Sequence, residues 1–134
     1  MKVRSGIDTV YIPRIVTSLE RSGEAFIDKC CTQREKEYAY SHKSEARQAE
    51  IIAGRFAAKE AVAKALGTGI LTDKLALTDV EVLPGEGGAP EVSFYGKARE
   101  LIDKLHVVSS SVSITHEKDY ATAICVLLTD EEDI

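Results

Sequence analysis

Residues 44–69 read SEARQAEIIAGRFAAKEAVAKALGTG, the longest uninterrupted helical pattern in the chain. Ser44 is an N-cap by type, since its hydroxyl can accept from backbone N–H groups that the first turn leaves unpaired. Glu45 follows in the first turn, where the helix dipole favours negative charge. Gly67 stands where a left-handed residue ends a helix without steric cost. Between these caps lie mostly Ala, Leu, Lys, Arg and Glu, good helix formers, with Gly54 the one weak interior position. Such a helix spans roughly 30 Å at about 1.5 Å per residue and is expected to cross the whole domain. At about 100° per residue, Ile52, Phe56, Glu60 and Ala63 fall on one face, with Lys59 and Lys64 flanking it. A carboxylate on or beside an apolar stripe needs a cation, several donors or a metal ion. Glu60 is therefore a functional candidate.

Working outward toward the N-terminus, residues 1–8 read as a short strand that ends in Gly6-Ile7-Asp8. Pro13 suits the first turn of a helix whose stripe is Ile12, Ile15, Val16 and Leu19, directing Arg14 and Arg21 elsewhere. Ser22-Gly23 breaks it. A short helical piece follows with Phe26, Ile27 and Cys30 inward, and Thr32-Gln33-Arg34-Glu35 is a capping box that starts a helix to about Tyr40.

Toward the C-terminus the pattern changes to strands. Residues 77–83 and 91–95 form a hairpin across the turn-rich 84–89 connection, and 96–105 is a short amphipathic helix. In 107–115, Val108, Val112 and Ile114 share one face and Ser109, Ser111, Ser113 and Thr115 the other. Residues 116–119 turn the chain into a strongly apolar strand at 120–128, and an acidic tail occupies about 129–134. Helices followed by a small antiparallel sheet predict an α+β fold over residues 1–134, one domain by length, with a long central helix against the sheet.

The chain has 134 residues and a net charge of −5, which disfavours a nucleic-acid binder of the simple basic kind. No apolar run is long enough to span a membrane, and no N-terminal charged-then-apolar segment reads as a signal peptide. Three cysteines without C-x-x-C spacing predict reduced thiols in a cytoplasmic protein. Charge is uneven. Residues 1–64 carry twelve Lys/Arg against nine Asp/Glu, whereas residues 65–134 carry five against thirteen. The positive half can face an anionic ligand or an acidic partner, or simply be solvated.

Two carboxylates stand where structure alone does not require them. Asp8 ends a strand just after a glycine, and Glu60 lies on the inner side of the long helix. With no His or Cys pair nearby, the two suit a hard cation such as Mg²⁺, which prefers oxygen and keeps several waters. Each also has a structural reading: Asp8 can cap a helix, and Glu60 can pair with Lys64 at i,i+4. Lys59, Lys64 and Arg55 could neutralise phosphates, although lone helix lysines are commonly solvated. Gly67-Thr68-Gly69 follows a helix C-terminus, where the dipole repels anions, so it is a helix stop or a close backbone approach to a ligand. His116 sits at a strand end beside a turn.

Three segments taken together are distinctive. They are Gly6-Ile7-Asp8, the helix stretch Gly54-Arg55-Phe56-Ala57-Ala58-Lys59-Glu60-Ala61-x-x-Lys64-Ala65-x-Gly67-Thr68-Gly69, and Val112-Ser113-Ile114-Thr115-His116 before a final apolar strand. In order, spacing and chain length they resemble the holo-acyl-carrier-protein synthase family of small phosphopantetheinyl transferases. The resemblance implies transfer of 4′-phosphopantetheine from coenzyme A to a serine of an acyl carrier protein, releasing adenosine 3′,5′-bisphosphate, in fatty acid biosynthesis. It assigns Asp8 and Glu60 as Mg²⁺ ligands and Lys64 as the lysine near the phosphates. It leaves open whether Glu60 or a water on the metal takes the serine proton. It places Arg47, Arg55, Phe56, Gly67, Thr68, Gly69, Thr115 and His116 with Lys64 around the coenzyme. It further implies a homotrimer with active sites between subunits, the 107–115 and 120–128 strands serving as interface, and Arg14 and Arg21 meeting the acidic carrier.

Overall fold

The computed structural model describes residues 1–67 and 75–130. The chain runs β1 (Lys2–Tyr11), α1 (Ile12–Ser22), α2 (Glu24–Cys30), α3 (Gln33–Tyr40), α4 (Glu45–Leu66), β2 (Val80–Pro84), β3 (Pro90–Phe94), α5 (Gly96–Lys104), β4 (Val107–Glu117) and β5 (Tyr120–Thr129). One antiparallel sheet has the order β1-β5-β4, and β2 and β3 form a separate hairpin. The predicted α+β class holds. Among the described residues no helix is long and apolar enough to cross a membrane.

Helix α4 is the axis of the fold. The Ser44 hydroxyl accepts from the Arg47 N–H, and Gly67 closes the helix at φ 83°, both as its end residues dictate. Its burial is broader than the expected single stripe: fourteen of its twenty-two residues are buried, and from Ile51 to Leu66 only the strip of Phe56, Glu60 and Lys64 is not. The cause is composition. Ala53, Ala57, Ala58, Ala61, Ala63 and Ala65 are all at most 2% exposed, and such small residues let neighbours close in around the rest of the circumference. Sheet β1-β5-β4 covers one side, α1 lies along the N-terminal half, and α3 with β2 covers the rest.

The capping box opens α3 as expected: the Glu35 N–H bonds the Thr32 hydroxyl, and the Thr32 N–H donates to Glu35 Oε1 at 2.8 Å. Pro13 lies in the first turn of α1. Three boundaries differ from expectation. Strand β1 continues past Asp8 to Tyr11, because β5 is long enough to pair every residue from Lys2 to Tyr11, with Asp8 opposite Ala123. Residues Leu77–Asp79 form a 3₁₀ turn rather than strand, since the Asp79 carboxylate accepts from the Ala76 N–H. Strand β4 carries a bulge between Val107 and Ser109, so Val107 turns to the core and Val108 stays 57% exposed, not on the face of Val112 and Ile114.

One face of the larger sheet lies on α4; the other is open. Val3, Ile7 and Tyr11 of β1 and Tyr120 and Ile124 of β5 stand on it at 40% exposure or more. Register places Ile7 opposite Ile124 and Tyr11 opposite Tyr120, whose rings are 5.3 Å apart. Ser109, Ser111, Ser113 and Thr115 of β4 continue the same face. All three cysteines are free and buried.

Candidate active site

The site is set by how closely β1 lies on α4. Gly6 is the contact point. A Cβ there would lie 2.1 Å from the Ala61 carbonyl oxygen and 2.7 Å from the Ala65 nitrogen, both backbone atoms that cannot yield. Strand alternation puts Arg4, Gly6, Asp8 and Val10 on the α4 side. Arg4 donates through Nε to the Ala65 carbonyl at 2.8 Å and so satisfies an acceptor that the helix end leaves free. Two residues beyond Gly6, Asp8 reaches the Glu60–Lys64 turn.

There the predicted carboxylates converge. Lys64 donates to the Ile7 carbonyl at 2.9 Å and to Asp8 Oδ1 at 3.2 Å. The Asp8 side chain is 19% exposed and that of Lys64 54%. Glu60 is half-buried one turn before Lys64. Burial pushes the Glu60 carboxyl above the usual carboxylate range, the Asp8 charge adds to that, and Lys64 partly offsets it. Two carboxylates and an ammonium therefore share one electrostatic site, and Lys64 pairs with Asp8 rather than forming a simple i,i+4 bridge to Glu60. Beside them, Ser5, Gly6, Ile7, Lys64 and Ile124 line an open hollow of about 380 Å³.

Asp8 and Glu60 offer only hard oxygen donors, and among the described residues no group of three His, Cys, Asp or Glu side chains clusters to complete a metal cage. That donor set fits Mg²⁺, which takes one or two carboxylates and fills its octahedron with water and substrate phosphate. It does not fit zinc, which seeks nitrogen and sulfur.

The remaining predicted residues are dispersed. Phe56 lies one turn before Glu60, half-buried against the core. Arg55 points to the opposite side: it is 8% exposed, donates to the Val82 carbonyl at 3.1 Å and sits 5.0 Å over the Tyr38 ring. Arg47 lies in the first turn of α4, 3.8 Å from Glu50, and thirteen residues separate it from Glu60, about 20 Å along the axis. His116 Nε2 is 2.9 Å from the Glu50 carbonyl and lies over Gly54, whose missing side chain makes room for it. Thr115 is on the open face of the sheet, opposite Thr122. Gly67 caps the helix beside the Arg4 guanidinium. Thr68, Gly69 and the tail from Glu131 onward lie outside the described residues. Arg14 and Arg21 are exposed on α1, seven residues apart and hence on one face.

Lys59 differs from expectation. It is fully buried, and its ammonium donates to Glu35 Oε1 at 2.6 Å, to the Cys30 carbonyl at 2.7 Å and to the Leu77 carbonyl at 3.0 Å. It ties α2, α3 and the 3₁₀ turn to α4 and has no free donor for a phosphate. Glu35 Oε2 accepts in turn from the Val82 N–H at 2.8 Å. Sequence reading found neither this pair nor the roles of Gly6 and Arg4; the capping box, which already employed Glu35, was the one local signal near it.

Comparison with known proteins identifies the family. The model of the 4′-phosphopantetheinyl transferase superfamily matches residues 4–125. A holo-[acyl-carrier-protein] synthase of Carboxydothermus hydrogenoformans is 46% identical over 94% of this chain and 98% of its own. The Helicobacter pylori holo-[acyl-carrier-protein] synthase, solved with coenzyme A, superposes with a TM-score of 0.79 at 30% identity, over 92% of this chain and 99% of that one. The Bacillus anthracis enzyme, solved with coenzyme A (3′,5′-ADP), gives a TM-score of 0.77 at 32% identity over 95% and 96% of the two chains. By sequence and by fold, the chain belongs to the 4′-phosphopantetheinyl transferase superfamily.

Proposed function

We propose that this enzyme is a holo-acyl-carrier-protein synthase in which Asp8 and Glu60 hold Mg²⁺ and Lys64 serves the phosphates of coenzyme A. The observation that carries the assignment is the meeting of Asp8, Glu60 and Lys64 from two separate elements at one point, across the Gly6 contact. The hydroxyl oxygen of a carrier serine attacks the phosphorus that bears pantetheine. A new P–O bond forms, the P–O bond to the bridging pyrophosphate oxygen breaks, and adenosine 3′,5′-bisphosphate leaves. When bound, Mg²⁺ supplies charge neutralisation for the phosphoryl oxygens.

The side chains of the chain account for the rest. Lys64, half-exposed at the hollow, can bring a positive charge to the leaving phosphate. Either Glu60, half-buried beside Asp8, or a water on the metal would take up the serine proton. Arg14 and Arg21 make no ion pair among the described residues and present two free cations to an acidic carrier.

The open sheet face supports a homotrimer. An apolar surface of this kind on a small protein marks an interface, and Arg47 and His116 lie toward the N-terminal half of α4, away from Glu60, where a neighbouring subunit would complete the coenzyme pocket. The reading implies a cytoplasmic enzyme that supplies holo carrier to fatty acid synthesis.

Mass spectrometry of an apo carrier protein after incubation with the enzyme, coenzyme A and Mg²⁺ should show one added phosphopantetheine. Asp8→Asn and Glu60→Gln should fold normally by circular dichroism and lose transfer by at least about 100-fold, more than the 10–100-fold typical of residues one layer behind a metal. Near-normal turnover in either variant would sink the metal assignment.

A further inference from the structure

We propose that Lys64 is an exchangeable internal counter-ion. Its ammonium and a divalent cation compete for Asp8, and cation entry hands Lys64 over to the substrate phosphates. The inference rests on the proposed metal role of Asp8 and Glu60 and goes beyond it by giving one residue two successive partners.

The geometry carries it. Asp8 and Glu60 are half-buried acids that repel each other, so the pair needs positive charge at every stage of a catalytic cycle. Their set is too small to cage an ion: among the described residues no third ligand side chain joins them. A cation held by two carboxylates and water must come and go with the phosphates that complete its shell. Lys64 Nζ lies on Asp8 Oδ1 at 3.2 Å and is anchored by the Ile7 carbonyl at 2.9 Å. That position meets the charge requirement without an ion.

The contact is built to be reversible. A 3.2 Å ion pair whose lysine side chain is 54% exposed is of the weak kind, in contrast to the short buried one at Lys59. The Ile7 carbonyl belongs to edge strand β1, where water can replace a lost donor. The four-carbon stem can swing from Asp8 into the hollow that Lys64 itself lines with Ser5, Gly6, Ile7 and Ile124. Displacement by an ion thus converts a lysine committed to Asp8 into one free for an anion, so that cation and phosphate binding support each other through one side chain.

The test is Mn²⁺ titration of the full chain without coenzyme A, followed by the loss of the free-ion electron paramagnetic resonance signal, for the parent, Lys64→Met, Lys64→Gln and Lys64→Arg. Removing the competitor should tighten Mn²⁺ binding about two- to fivefold in the Met and Gln variants, the range that a weak exposed pair allows. Arg should behave like Lys. A second readout is the melting temperature: the deficit of Lys64→Met relative to the parent in EDTA should shrink when Mg²⁺ is added. A purely structural lysine would leave that deficit constant. Unchanged or weaker Mn²⁺ binding in folded Lys64→Met and Lys64→Gln overturns the proposal while leaving the metal site intact, provided Asp8→Asn abolishes binding. If the parent binds no Mn²⁺ even with coenzyme A present, both the counter-ion and the metal reading fall.

Discussion

Lys59 and Lys64 stand five residues apart on α4 and each meets a carboxylate, yet the two pairs have opposite characters. Lys59–Glu35 is 2.6 Å long, with side chains 0% and 1% exposed, and every donor and acceptor nearby is in use. Lys64–Asp8 is 3.2 Å long and open to solvent. Desolvation explains the divergence. Taking an ion pair out of water is tolerable only when geometry and extra hydrogen bonds replace the lost hydration, and such a pair, once made, cannot be altered cheaply. A pair at the rim keeps its water, gains little, and can trade partners. One helix thus carries a fixed joint and an exchangeable contact, and the proposed chemistry is placed at the second.

The comparison can be broken most severely at its buried member. Lys59→Met leaves Glu35 charged and buried with two N–H donors but no cation, and should cost about 3–5 kcal/mol, as removal of one partner of a buried pair does. Urea unfolding would show it as a lower midpoint at unchanged slope. A loss below about 1 kcal/mol would mean that the pair is no more costly to break than a surface bridge. Gly6→Ala attacks the contact between the elements instead. Its Cβ would meet the Ala61 and Ala65 backbone at 2.1 and 2.7 Å, so β1 must lift from α4, at a cost in the range of about 1–3 kcal/mol typical of overpacking. Because Asp8 moves with the strand, this variant should also lose Mn²⁺ affinity, which Lys59→Met at permissive temperature should largely keep.

The smallest effect concerns Glu60 and has the reverse sign. Its folded-state pKa is raised by burial and by Asp8, so the native chain holds that proton more tightly than the unfolded chain does. Stability therefore falls as pH rises through the window between the ordinary and the raised value. In EDTA, Glu60→Gln should match the parent at the acid end of that window and exceed it slightly above it, visible as a higher melting temperature. A variant less stable than the parent across the whole range would show that the Glu60 charge stabilises the fold. The site would then not be strained in favour of function.

Local signals were legible in the sequence wherever the physics is local. Ser44, Gly67, Pro13 and the Thr32–Glu35 box each act within four residues, and the helix boundaries they set are those observed. Asp8 and Glu60 were legible as acids without a structural reason, and the family motifs paired them. What escaped depends on distant partners. The length of β1 is set by β5, more than a hundred residues later. The bulge that exposes Val108 inverts a strand's faces without altering its composition. An alanine-rich helix packed on all but the narrow Phe56–Glu60–Lys64 strip offers little by which periodicity could orient it, so Lys59 looked like a flanking lysine when it is the most deeply buried charge in the described structure. Arg55, which the resemblance places at the coenzyme, packs against Tyr38 and Val82, contacts with distant elements that its sequence neighbours do not announce.

Adjacency on α4 carries one more consequence. Lys59 must face Glu35 while its neighbour Glu60 faces Asp8, and each residue added to a helix turns everything beyond it by about 100°. Inserting or deleting a single residue after the Ser44 cap and before these two would swing the ammonium away from its cage and drive Glu60 among alanines in the same stroke. The segment is consequently phase-locked: evolution can exchange its letters but not their number, whereas the 84–89 turn, where Gly87 has nothing within 4 Å of a would-be side chain, is free to lengthen.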